Sequence, residues 1–299
     1  VADSIFIAAP SPQADGEPND RDRRDQRGGH MPSGEPGIAM VVLPTEHASG
    51  PWDPRALHGG APAALITAAF ERVEPGSQLR IARLGFELLR PVPLAPLTLT
   101  IRIVRPGRRV QELAGELSAE VAGSPQVVCR ASALRVQEVS AEIAEQAVPP
   151  PPDDELPPPE QGRPVRFALD DADRDSFAAS AMEMRWLTDP RASGPGRVWM
   201  RLRHPLLAGQ ALTPLARLAA TADFGNGISA ALAFERFLFI NADLTLHLQR
   251  QPRGEWIGLD ARTLLDSGGS GLAESVLHDV HGPVGRAFQT LVVEARPPQ

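Results

Sequence analysis

The chain has 299 residues, 42% of them apolar and 22% charged, with 37 acidic against 30 basic side chains and a net charge of −7. That length suits two domains of roughly 120 to 130 residues. No apolar run approaches the roughly 18 residues a membrane span requires, and the acidic balance argues against bulk binding to nucleic acid or anionic membrane. Every basic residue is Arg and Cys129 is the only cysteine, which excludes a P-loop, a Schiff-base Lys, an intrachain disulfide and a cysteine zinc site. A reducing cytoplasm is the expected compartment.

In chain order, the apolar piece Ile5–Ala9 is too short for a secretory signal and follows an acid. The Asp, Arg, Gly and Pro that succeed it bury too little apolar area to offset their ordering entropy, so residues 1–36 are expected to be a disordered tail. Residues 37–137 read as a first unit. A strand over Gly37–Pro44 precedes an Ala/Leu/Ile-rich helix over Ala56–Val73, opened at its start by Gly59 and Gly60. Strands follow at Leu79–Leu89, Leu97–Val104, Val110–Val121 and Gln126–Val136. Residues 138–164, with prolines at 149–152 and 157–159 among acids, read as a stiff, solvated linker.

Residues 165–299 repeat the order. Strands at Met182–Leu187 and Arg197–Leu202 precede a helix from Pro214 to Ala222 or beyond, with Thr213 as its N-cap and Pro214 as its first residue. Strands follow at Phe237–Leu248, Trp256–Leu265, Gly271–Asp279 and Val284–Ala295, with hairpin turns between the last four. Arg90-Pro91 answers Arg250 with Pro252, and Cys129-Arg130-Ala131 answers Gly285-Arg286-Ala287, so the halves form an internal repeat. Short strands gathered after one helix make the class α+β. One helix wrapped by an antiparallel sheet is the hotdog architecture, here in tandem, with the two sheets pairing edge to edge.

The spaced set Asp223-Phe224-Gly225-Asn226-Gly227, Ile240-Asn241-Ala242-Asp243-Leu244-Thr245, Arg250, Gly254-Glu255-Trp256-Ile257, Gly271-Leu272-Ala273 and Gly285–Gln289 resembles the thioesterase-superfamily double hotdogs related to TesB-type acyl-CoA thioesterase II. The resemblance covers about Gly37 to Arg296. It implies acyl-CoA as substrate, no cofactor and no metal, and a water held by an Asp on the second helix, a Thr or similar polar residue on the next strand and a Gln on the last. Those positions are Asp223, Asn241 and Gln289, with Asn241 departing from the usual Thr. Gln289 interrupts an apolar strand whose first-half counterpart position is Ala133, which suggests that one copy specialised. Taken alone, an Asp before Gly225 is ordinarily a capping or solvated carboxylate, and an Asn at a strand start ordinarily makes local turns.

At the opening of the first helix, His58, Gly59 and Gly60 are expected to bind the thioester oxygen, because a helix start offers free N–H groups and Gly admits close approach. The competing reading makes His58 an interface residue and the glycines packing devices. Gly225-Asn226-Gly227 follows a helix rather than a strand, which argues against a dinucleotide site. His278, Asp279 and His281 are splayed by strand alternation, which argues against a metal. Hydrolysis of an acyl-CoA thioester is therefore the expected activity. Non-catalytic binding of acyl-CoA or an acyl carrier is the alternative, and hydration of an enoyl-CoA is disfavoured by the lack of the characteristic hydratase Asp-His pairing after a hotdog helix. A homo-oligomer of double-hotdog protomers is compatible with the sequence.

Overall fold

The computed structural model describes residues 3–9, 37–139, 155–166 and 175–296. The bulk of the expected tail, and residues 140–154 of the expected linker, lie outside them. In the first half, β1 (Phe6–Ala8) and β2 (Ile38–Pro44) lead to helix α1 (Gly60–Glu71). Strands β3 (Leu79–Leu88), β4 (Leu97–Arg105), β5 (Val110–Val121) and β6 (Ser124–Gln137) complete it. The second half has β7 (Arg163–Pro164), a one-turn π-helix at Phe177–Ala181, β8 (Met182–Trp186) and β9 (Gly196–Leu202). Helices α2 (Pro214–Ala222) and α3 (Gly225–Ile228) follow, then β10 (Phe237–Asn241), β11 (Asp243–Leu248), β12 (Ile257–Leu265), β13 (Ser270–Asp279) and β14 (Gly282–Ala295).

All strands join one sheet in the order β1-β2-β4-β5-β6-β3-β11-β14-β13-β12-β9-β8-β7, with β10 beside β14. The order mirrors itself about the antiparallel β3–β11 pair, where Leu84 meets Leu246 and Phe86 meets Leu244. This is the tandem hotdog that the repeat predicts, with the halves fused at a sheet edge that would otherwise be open. Strand β5 shows how the sequence selects the inner face: Gln111, Leu113, Gly115, Leu117 and Ala119 alternate inward and are buried. Helix α1 is buried on nearly every side, from Gly60 to Phe70, as expected of a helix that is apolar all round and enclosed by its own sheet and α2. No helix among the described residues is long and apolar enough to cross a membrane.

The expected tail needs correction at residues 3–9. Strand β1 pairs with β2, and Ile5 and Phe6 donate backbone hydrogen bonds to Pro205 and Leu206 of the second half. Both side chains are fully buried, each a gain of about 1.5–3 kcal/mol, which outweighs the local polarity that favoured disorder. The end of the expected linker also packs. Trp199 donates its indole N–H to the Pro157 carbonyl at 2.7 Å, Pro159 is buried, and β7 pairs with β8.

Helix α1 starts four residues later than its composition predicts. Residues 50–57 form a closed loop in which Gly50 N–H donates to Ala56 O and Leu57 N–H to Val92 O, so their backbones are already committed. The strand expected over Phe237–Leu248 is broken at Ala242, whose N–H donates to Thr290 while its carbonyl accepts from Leu88. The break falls beside Gln289 and Thr290 of β14.

Candidate active site

Helix α2 begins as expected, with the Thr213 hydroxyl accepting from Ala216 N–H. It ends at Asp223, where the chain turns through Phe224 into the short α3. Gly225 permits the turn: a Cβ there would lie 2.7 Å from Ser275 Oγ and 2.8 Å from Gln289 Oε1. The turn carries the Asp223 carboxylate inward until the residue is only 5% exposed. A carboxylate so buried requires hydrogen-bonded partners, and both halves supply them.

The Oδ1 atom of Asp223 accepts from Asn241 Nδ2 at 2.8 Å and from Gln289 Nε2 at 3.4 Å. Its Oδ2 atom meets His58 Nδ1 at 2.9 Å. Asn241 owes its aim to the break at Ala242, which ends β10 directly after it. An amide N–H thus fills the place that the resemblance gives to a Thr hydroxyl, and the donor function is preserved. Gln289 is 1% exposed. Its Nε2 also donates to Asp223 O at 3.0 Å and its Oε1 accepts from Asn226 N–H at 3.0 Å. With both ends occupied, Gln289 holds the Asp223 turn in place rather than facing the cavity.

His58 precedes α1, its imidazole in a three-ring cluster with Phe224, ring centroids 4.3 Å apart, and Phe177 at 5.1 Å, the two Phe rings being 6.0 Å apart. Gly60 N–H also lies 3.1 Å from His58 Nδ1. A single ring nitrogen cannot accept from that amide and donate to Asp223 at once. The shorter contact, to a buried carboxylate, favours the tautomer with hydrogen on Nδ1 and a lone pair on Nε2. Nε2 has no protein partner among the described residues, and His58 lines a cavity of about 480 Å³ together with Gly59, Asp223, Phe224 and Asn241.

The two glycines divide in role. A Cβ on Gly59 would sit 2.8 and 2.9 Å from the two Asp223 carboxylate oxygens, whereas one on Gly60 would sit 2.4 Å from Ala220 O and 2.9 Å from Phe177. Gly59 therefore admits the carboxylate to the α1 N-terminus, where the helix offers positive partial charge. Gly60 lets α1 and α2 touch, so its expected place beside the substrate is corrected to a packing contact. The other helix start is closed: Pro214 lacks an N–H, and the Thr213 hydroxyl donates to Glu71, whose carboxyl is pushed up by burial against the opposing effect of that hydrogen bond.

The remaining candidates are engaged elsewhere. Asp279 receives Arg250 at 2.6 and 2.7 Å together with the backbone N–H groups of Arg253 and His281. It is a structural clamp between β13 and the loop after β11. Cys129 is buried, and its thiol is pushed up to about 12 by that burial and by the charges of Glu87 and Asp223, which leaves no thiolate to react. Sequence reasoning missed the His58–Asp223 contact, because a separation of 165 positions gives no sign that the two meet. It also missed Trp52 and Phe234, which wall the cavity.

Comparisons with known proteins agree with this architecture. Residues 48–136 match the acyl-CoA thioesterase N-terminal domain and residues 146–293 the acyl-CoA thioesterase C-terminal domain. Among solved structures, a protein of Thermobifida fusca described as a thioesterase II is similar at TM-score 0.66 and 19% identity, over 86% of this chain and 92% of its own. A hot dog fold protein of Alicyclobacillus acidocaldarius is similar at 0.64 and 18%, over 90% and 96%. Acyl-CoA thioesterase II TesB2 of Mycobacterium marinum is similar at 0.59 and 17%, over 82% and 92%. At these identities the structures speak for the shared fold. No curated protein matches the chain by sequence. With one domain of each kind in tandem on a double-hotdog sheet, the chain belongs to the acyl-CoA thioesterase family.

Proposed function

We propose that the chain hydrolyses acyl-CoA thioesters to the free acid and CoA in the cavity between its halves. The observation that carries the reading is the buried Asp223 carboxylate. Two amides fix it on one oxygen, the other pairs with His58, and the imidazole opens onto an apolar cavity. In this reading Asp223 orients His58, and His58 Nε2 takes a proton from water as the oxygen bonds to the thioester carbon. The Gly59 N–H, which has no hydrogen-bond partner among the described residues, stabilises the oxyanion at the α1 start. Collapse breaks the carbon–sulfur bond, and His58 returns its proton to the departing sulfur. Asn241 and Gln289 act by holding Asp223. Arg90, exposed at the cavity and without a partner among the described residues, supplies a cation for the CoA phosphates.

Thiol release from a panel of acyl-CoAs tests the reading. His58→Gln and Asp223→Asn are each expected to lower kcat by about a thousandfold with the fold intact by circular dichroism. Full activity in Asp223→Asn would overturn the role of the dyad. Calorimetric binding of acyl-CoA without thiol release would instead assign the chain a non-hydrolytic binding role.

A further inference from the structure

A thioesterase must lodge its acyl group somewhere, and the described residues close off several directions from the dyad. Beneath α1, a Cβ on Gly115 would lie 2.9 Å from Ile101 and 3.2 Å from Ile66 and Phe70, so helix and sheet are in contact at that point. Beyond Asp223, Gly225 is pressed against Ser275 and Gln289. Behind His58 stand Phe177 and Phe224. The cavity beside the dyad continues as a groove toward the surface, lined by Trp52, Phe234, Ile240 and Val292.

That groove is aromatic. Trp52, on the closed loop at residues 50–57, faces Phe234 and Phe239 of the second half with centroids 5.7 Å from each, and those two rings are 4.7 Å apart. Arg296 secures the wall: it donates through Nε to Phe234 O at 2.7 Å and lies over the Trp52 ring at 5.4 Å. Ile240 and Val292 line the same cavity and are 47% and 49% exposed. Paired apolar side chains so open beside a polar catalytic group are surface for a ligand to cover.

Building on the thioesterase reading, we propose that this groove is the acyl subsite and that it selects short acyl groups ending in a flat ring, such as arylacetyl thioesters, over long straight chains. Ring edges and faces suit Trp52 and Phe234, which line the cavity, while the buried Phe239 backs them. An alkyl chain presents no ring face or edge to Trp52 and Phe234. Trp52 and Phe234 come from different halves, so specificity as well as chemistry is assembled across the repeat.

The test compares acetyl-, phenylacetyl- and palmitoyl-CoA on the full chain. The expected result is a kcat/KM for phenylacetyl-CoA above that for palmitoyl-CoA. In Trp52→Ala and Phe234→Ala, the phenylacetyl-to-acetyl ratio is expected to fall about tenfold. Preference for palmitoyl-CoA, or an unchanged ratio in both variants, would overturn the subsite. Calorimetric binding of phenylacetyl-CoA and acetyl-CoA to Asp223→Asn, with and without Trp52→Ala, reads the subsite without turnover. Tighter phenylacetyl binding that requires Trp52 would uphold the groove even if thiol release failed, and equal binding of the two thioesters would reject it.

Discussion

At the scale of single residues, the site depends on what is absent from Gly59. The carboxylate of Asp223 occupies the space a side chain would need, with both oxygens under 3 Å from a Cβ position and both already held by His58, Asn241 and Gln289. Gly59→Ala must therefore displace the carboxylate. A shift of that size is expected to lower kcat/KM roughly a hundredfold, with little change in the urea midpoint. Gly60→Ala, one residue on, drives a Cβ into the Ala220 carbonyl, and backbone cannot yield as a side-chain tip can. Its expected signature is the reverse, a lowered urea midpoint from overpacking of α1 on α2. Equal effects of the two substitutions on both measurements would refute the division of roles.

Among the elements, the second half relies on one ion pair to fix β13 against the loop after β11. Asp279 is buried, and burial by itself would raise its carboxyl. The bonds from Arg250, from the His281 and Arg253 backbone amides and the Arg250 charge outweigh that and hold it below the usual carboxylate range. A carboxyl depressed by folding contributes stability that is present above its unfolded range and is lost as pH falls through the folded one. Asp279→Asn is expected to cost about 3 kcal/mol at neutral pH, since it leaves Arg250 without its charge partner. The gap between variant and wild type, read by urea unfolding at several pH values, should narrow on acidification. A gap that is constant down to acid would contradict the assignment.

Across the whole molecule, the candidate site draws on both copies of the repeat. His58 and Gly59 come from the first half, and Asp223, Asn241 and Gln289 from the second. The β3–β11 pairing that unites them also hides two sheet edges. Each half produced alone would expose that edge along with the faces of α1 and α2 that meet. Residues 1–139 and 140–299 expressed separately are expected to show no thiol release, and their co-expression to restore it in a one-to-one complex by light scattering. Activity in either half alone would contradict a shared site.

Much of this was legible in sequence. Alternation marked the strands, because a two-residue repeat is a local property. The Ala/Leu/Ile-rich run over Ala56–Val73 marked the first helix. Thr213-Pro214 marked the start of α2, and the spaced motifs marked the family and singled out Asp223, Asn241 and Gln289, which the fold brings together. Tertiary structure decided the rest, since it turned on contacts between residues far apart in the chain. Composition could not reveal that Ile5 and Phe6 would find Pro205 and Leu206, or that a strand would break at Ala242 opposite Gln289. Nor could it separate Gly59, which admits a carboxylate, from Gly60, which admits a helix. The meeting of His58 with Asp223 belongs to the same class. Duplication was written in the chain order, and the sequence already set His58 in one copy and Asp223 in the other; their meeting was decided by packing, where burial obliged a lone carboxylate to gather its partners from both halves.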